Sequence, residues 1–279
     1  MQKIKSRYSN DPEFGKTLWL SDGMCEIGAA LDCGIRILHC SCRGMDNLFY
    51  RQPADDRKYI TDQGWRLYGG HRIWAAPESE KSYYPDNQPV DYDLKEDGVL
   101  LRQKDPWLKI EKSLKLTFLS EGCVQVDHEI RNLADVPLTC SVWGISTLAA
   151  GGTLQVQLAD NDSEYTPKRL FALWKDTSLQ DPRIRIKGDF LWAEHQPSET
   201  FFKLGLYTNR GTAIYRRSGQ RFICRFGGNE IPYPDGNSNF ELYLSQEMME
   251  LETLGGLQLL NPGKMSVHQE IWQIEKDTR

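Results

Sequence analysis

An imidazole, a guanidinium, an indole and a carboxylate fall within eight residues of one another, at His71, Arg72, Trp74 and Glu78. Together they offer planar donors for hydroxyl groups and an apolar plate for the C–H face of a sugar ring. Gly69 and Gly70 precede them and let the backbone turn tightly against another chain or a ligand. The same residues also admit a structural reading, in which Arg72 and Glu78 form an ion pair and Trp74 fills core.

A second group lies far along the chain, in Met249-Glu-Leu-Glu-Thr253, within the run Phe240 to Leu254 that reads as a strand. Glu250 and Glu252 are two residues apart, so both project from one face, about 7 Å from each other. Two like charges at that separation raise each other's pKa, which suits a group that exchanges protons near neutrality. A solvated outer face is the alternative, and the apolar Met248 and Leu254 on the same parity speak against it. Lys203 is a single cation in the apolar run Phe201 to Gly205, placed either to pair with one of these glutamates or to snorkel from a strand edge. Trp143, in Val142-Trp-Gly-Ile-Ser146, is a second candidate stacking plate. His39, His128, His195 and His268 show no metal-ligand spacing and read as structural or surface histidines. Motifs for serine hydrolases, phosphate loops and zincins are absent from the sequence, so neither a metal nor a cofactor is expected.

The elements that must position these groups read as strands. Ile110, Leu114, Leu116 and Phe118 share one parity, and Val124, Val126, His128 and Ile130 share another, the period-two signature of half-buried strands. Turn dipeptides lie between such runs at Asp22-Gly23, Asp97-Gly98, Glu121-Gly122, Arg210-Gly211, Ser218-Gly219 and Asp235-Gly236, each a candidate hairpin closure. Helical stripes are sparse, which favours a large antiparallel sandwich or barrel over a parallel α/β fold. Two polar and aromatic segments interrupt the rhythm and read as loops. One runs from Tyr68 to Glu78 and on through Tyr83 to Asn87, and the other is Ile231 to Gly236.

With 279 residues, a net charge of −5 and 39% hydrophobic residues, the chain can bury a large core without a metal or disulfide staple. No repeat or low-complexity linker divides it, so residues 1–279 read as one domain. Seven cysteines without a framework read as reduced core thiols in a reducing compartment. The acidic balance gives no footprint for nucleic acid or anionic lipid. No window is apolar enough for a membrane helix or a signal peptide, so a cytoplasmic protein is expected. Oligomeric state is not legible.

Several pieces, in order, resemble the galactose mutarotase-like (aldose 1-epimerase-like) superfamily. They are Met24 to Leu48, Gly69-Gly-His-Arg-Ile-Trp74 to Glu78, Ile130-Arg-Asn-Leu133, Val142-Trp-Gly-Ile145, Glu250-Leu-Glu252, Asn261-Pro-Gly263 and Glu270-Ile-Trp272. The resemblance implies an all-β supersandwich of about thirty short strands with few helices and a sugar site in its concave face. In that family a glutamate on a late strand takes the anomeric proton, a histidine protonates the ring oxygen, and an arginine orients the sugar. Glu252 falls where the glutamate is expected, with Glu250 as its competitor, and Arg72 resembles the arginine. The family's His-x-Tyr-Phe-Asn motif is missing, since the corresponding stretch reads Val142 to Ser146 without a histidine. His71 is then the substitute acid. The expected activity is interconversion of the anomers of a sugar or sugar phosphate. Its rivals are a non-catalytic sugar-binding protein and a lyase or glycoside hydrolase on the same fold.

Overall fold

In the computed structural model, residues 4–56, 64–161, 163–228 and 232–278 are described, and in them the period-two pattern becomes 21 strands with one short helix, α1 (Pro234–Asn237). One sheet runs in the order β1 (Lys5–Asp11), β2 (Gly15–Ser21), β3 (Cys25–Ala30), β4 (Arg36–Cys42), β5 (Gly70–Ala76), β10 (Leu138–Ala149), β19 (Met248–Leu254), β18 (Phe240–Leu244), β15 (Phe202–Leu206) and β12 (Phe171–Leu173). A short strand, β20 (Gln258–Leu260), joins the start of β10. The other sheet runs β13 (Ile184–Lys187), β14 (Phe190–Glu194), β11 (Thr153–Gln157), β16 (Thr212–Arg217), β17 (Gln220–Phe226), β21 (Met265–Lys276), β9 (Cys123–Asn132), β8 (Ile110–Ser120), β7 (Gly98–Asp105) and β6 (Asp91–Leu94). Neighbouring strands are antiparallel, as the short turns between them require.

The apolar parities identified in the sequence face inward: Ile110, Leu114, Leu116 and Phe118 are buried, as are Val124, Val126 and Ile130. Phe49, Phe222 and Trp272 meet edge to face at 5.3–5.6 Å between the sheets. Six of the seven cysteines are buried, and all are free thiols. No helix among the described residues is long and apolar enough to cross a membrane.

Several local expectations are corrected. The run Phe240 to Leu254 is two strands, β18 and β19, because the chain turns at Ser245, whose N–H bonds the Met248 carbonyl oxygen at 3.0 Å. The stretch read as a loop from Tyr68 contains β5, a strand in the middle of its sheet. Its two glycines do serve close approach: both have positive φ, and a side chain there would collide with the carbonyl oxygens of Tyr50 and Ile37. Four of the six turn dipeptides close hairpins, whereas Arg210-Gly211 leads from one sheet to the other and Asp235-Gly236 lies in α1. Ile231 lies outside the described residues. The strand count is also lower than the thirty implied by resemblance.

Arg36 ties the segment after β5 to the sheet. Its Nη2 is 2.5 Å from Asp86 Oδ1, its guanidinium lies over the Tyr68 ring at 4.7 Å, and Arg36 is buried while Asp86 is largely so. Burial works against the Asp86 charge, but Arg36 outweighs it and holds the carboxyl below its ordinary value. Breaking such a pair strands a charge in the interior and costs about 3–5 kcal/mol. Arg36→Met is expected to lower stability by that amount in denaturant titration. In the wild type the Asp86 contribution is present above the ordinary aspartate pKa of 3.8 and fades as pH falls below it.

Candidate functional site

Strand alternation decides what the cleft contains. Cross-strand register aligns Arg72, Ile145, Glu252, Glu241 and Gly205 in one lateral row across β5, β10, β19, β18 and β15. The next row on the same face holds Gly70, Thr147, Glu250, Tyr243 and Lys203. These rows floor a cavity of about 300 Å3, walled by Trp65, Leu67, Trp74, Glu78, Tyr83, Trp143 and Met248. Seven of the eight residues singled out in the sequence line it: Arg72, Trp74, Glu78, Trp143, Lys203, Glu250 and Glu252.

The eighth does not. His71 neighbours Arg72 on an extended strand, so it must point to the other face. There it is fully buried between the sheets, with Nδ1 2.8 Å from Ser146 Oγ and Nε2 2.6 Å from His128 Nε2. Burial lowers its pKa to about 3, against the pull of Glu270. It cannot deliver a proton into the cleft, and its assignment as the acid is withdrawn. His128 and His268 are buried, hydrogen-bonded histidines as expected, and their rings lie 5.7 Å apart in the same interior cluster.

The two sites of positive charge in the cleft are both committed. Arg72 Nη1 donates to Glu250 Oε1 at 2.8 Å and to Thr147 Oγ1 at 3.1 Å, and the Thr147 hydroxyl donates to the same carboxylate oxygen at 2.9 Å. The Arg72–Glu78 pair is therefore not the one that forms. Lys203 Nζ lies 3.0 Å from Glu241, 3.5 Å from Glu252 and 3.7 Å from Glu78. Burial opposes the Lys203 charge, but Glu252, Glu241 and Glu78 overcome it and raise its pKa. Each cation also covers an indole face, Arg72 that of Trp74 at 4.7 Å and Lys203 that of Trp143 at 4.9 Å. Both tryptophans are at most 5% exposed, so they seat the cations and are not open plates.

The acidic side is richer than expected. Burial raises the Glu252 pKa well above its ordinary value, reinforced by Glu241 and Glu250 and opposed by Lys203 and Arg72. Glu252 is 1% exposed, and its Oε1 accepts no hydrogen bond. Burial likewise raises Glu241 and Asp235. The Tyr83 hydroxyl donates to Glu78 Oε1, and burial followed by that bond raises its pKa. Tyr83, Glu78, Lys203 and Glu252 thus form a continuous polar chain along one side of the cleft. Tyr83 is fixed by edge contacts to Trp65 and Trp74, both at 5.4 Å. Sequence reading missed Glu241, Asp235, Tyr243 and Trp65. Glu241 carried a signal, a charge inside the apolar run Phe240 to Leu244, and Asp235 lay in the polar segment Ile231 to Gly236 already singled out.

A larger hollow of about 420 Å3 lies over β1 and β2, lined by Lys5, Arg7, Trp19 and Glu26 among others. It lacks convergent buried groups: Arg7, more than half exposed, stacks on Trp19 at 4.5 Å and pairs with Glu26 at 3.1 Å. The smaller cavity is the chemically equipped one.

Comparison with solved structures bears on the fold. A galactose mutarotase-like protein from Clostridium acetobutylicum matches with a TM-score of 0.58 at 12% identity, over 99% of this chain and 100% of that one. The fold is that of the galactose mutarotase-like proteins. A galactose mutarotase-like protein from Lactobacillus casei (TM-score 0.57, 12% identity, 97% of this chain and 100% of that one) shares this mutarotase-like sandwich. So does a galactose mutarotase related enzyme from Lactobacillus acidophilus (TM-score 0.53, 9% identity, 98% of each chain). No protein-family model matches the sequence, and neither does a curated protein. At these identities the mutarotase-like fold carries over, while the chemistry rests on the cleft itself.

Proposed function

We propose that the cleft binds one ring of an aldose and interconverts its anomers, with Glu252 as general base. The observation that carries this reading is a buried carboxylate of raised pKa among the residues that line a hollow the size of a single sugar. Ligand cavities run from about 300 to 1,000 Å3, and this one lies at the small end, which disfavours cleavage of an oligosaccharide chain. Arg72 and Lys203 are already neutralised by carboxylates, so the site favours an unphosphorylated sugar.

In the proposed reaction Glu252 takes the proton of the anomeric hydroxyl while the bond from C1 to the ring oxygen breaks. The Tyr83 hydroxyl, held by Glu78 at the far end of the same polar chain, gives the ring oxygen its proton, leaving the open-chain aldehyde. Rotation about C1–C2 and the reverse steps close the other anomer. Arg72, fixed by Glu250 and Thr147, orients the hydroxyls, and Tyr243, whose ring stacks on Phe201, is a partly exposed aromatic of the lining.

Anomer exchange by NMR, with a panel of neutral aldoses, tests the reading. Tyr83→Phe is expected to slow exchange by about 100-fold or more with little change in KM. The free enzyme must hold Glu252 ionised to act, so kcat/KM falls as pH drops through the raised Glu252 pKa. The acid limb should therefore lie above 4.5, the ordinary glutamate value. No acceleration with any aldose overturns catalysis. Saturable binding without acceleration would establish the non-catalytic rival, which is favoured by the lack of a histidine among the described residues of the cleft lining.

A further inference from the structure

From the side chains that meet between the sheets beneath the cleft, we infer a buried zinc site formed by His71, His128 and Glu270. This inference is independent of the sugar reading, and it departs from the metal-free expectation drawn from sequence spacing. His71 comes from β5 of one sheet, His128 and Glu270 from β9 and β21 of the other. One ligand-type atom of each lies within 4.8 Å of the other two, and all three residues are fully buried. Their separation in sequence, 57 residues between the histidines and 142 from His128 to Glu270, is why no ligand spacing shows.

Each candidate ligand turns one atom inward and has its other heteroatom tied down behind it, the arrangement that orients metal ligands. His71 Nδ1 meets Ser146 Oγ at 2.8 Å. His128 Nδ1 donates to the His268 carbonyl oxygen at 3.1 Å, which leaves the Nε2 lone pair aimed at His71. Glu270 Oε2 accepts from Trp272 Nε1 at 2.5 Å. On the Oε1 side Thr253 donates its hydroxyl to Glu270 and accepts from His268 Nε2 at 2.7 Å. A proton between the two Nε2 atoms satisfies that pair alone. Glu270 is held by Thr253 and Trp272 with no lysine or arginine among the described residues paired to it, so the adjoining histidines are the groups left to balance its buried charge.

Gly144 of β10 packs directly against the group. A Cβ there would stand 2.8 Å from Glu270 Oε1 and 3.1 Å from His128 Nε2, so any other residue would press on the two ligand atoms. Two imidazoles and one carboxylate are a three-ligand zinc donor set, which leaves the fourth tetrahedral position to a water. Bonds of about 2.0–2.1 Å to zinc put tetrahedral ligand nitrogens about 3.3 Å apart, so the His71–His128 gap of 2.6 Å must open by about 0.7 Å. The rings hang from opposite sheets and can part by side-chain rotation. With the site sealed from solvent, the ion is acquired during folding.

The test is refolding of the untagged full chain with zinc, with cobalt(II), or with chelator, followed by metal analysis, visible spectroscopy and thermal melting. Zinc close to one equivalent per chain, ligand-field bands from cobalt, and a higher Tm with metal are expected. Ser146→Ala, which removes only the support behind His71, should weaken zinc affinity 10- to 100-fold while leaving the fold intact. Glu270→Gln should abolish retention. Should that variant fail to fold, the wild-type cobalt spectrum and the Ser146→Ala affinity decide the matter. Less than a tenth of an equivalent of zinc, no cobalt bands and a Tm indifferent to metal would overturn the site, leaving a hydrogen-bonded network. So would full retention by a folded Glu270→Gln chain.

Discussion

Glu252→Gln is expected to slow anomer exchange by about 100- to 10,000-fold, the range for losing a positioned general base, while the protein stays folded. The folded state should survive because glutamine keeps the shape and removes a charge that burial already disfavours. Lys203 retains Glu241 and Glu78 as partners. Saturation by sugar should persist, since Arg72 and its Glu250 and Thr147 supports are unaltered. Stopped-flow polarimetry or NMR exchange checks the rate, and titration with the same sugar checks binding. An unchanged rate would transfer the base role to Glu250 or remove it from this cleft.

Lys203→Met should cost about 3–5 kcal/mol of stability, because it leaves Glu241 and Glu252 buried beside each other without the ammonium that pairs with both. The pH dependence carries the sign. In the wild type the Lys203 pKa is raised, so its contribution is complete below the ordinary lysine value of 10.5 and is lost only as pH climbs above it. Without Lys203 the two carboxyls become harder still to ionise. The deficit should then shrink in acid, where both are protonated in either state, and grow as pH rises past the ordinary glutamate value of 4.5. Urea titrations of both proteins across that interval measure it. A deficit that does not vary with pH would mean that the ammonium contributes by packing on Trp143 and Trp174 and not by its charge.

Strands such as β8 and β9 were legible because one face is apolar and the other polar. β5 was not, for a physical reason. Its inward residues begin with His71, which joins a polar cluster, and its cleft-facing residues include Trp74 and Ala76, so neither face carries the usual contrast. Read as a loop, it let His71 and Arg72 serve one cavity, and period two forbids that. The pairing of Arg72 with Glu250 across 178 residues was anticipated as an encounter but not as that particular bond. Which carboxylate each cation meets depends on strand order and register, and local pattern encodes neither. Glu241 was missed because the turn at Ser245 was not placed. Once β18 and β19 fold back, Glu241 falls opposite Glu252.

The floor of the cleft is drawn from five adjacent strands and almost nothing else, which shapes how such a protein can diversify. Inserting or deleting a residue in any of them reverses the sense of everything downstream on that strand, exchanging ligand-facing groups for core ones. Lineages carrying this sheet are therefore confined to replacing side chains one position at a time, with the surrounding loops as the freer ground for new selectivity.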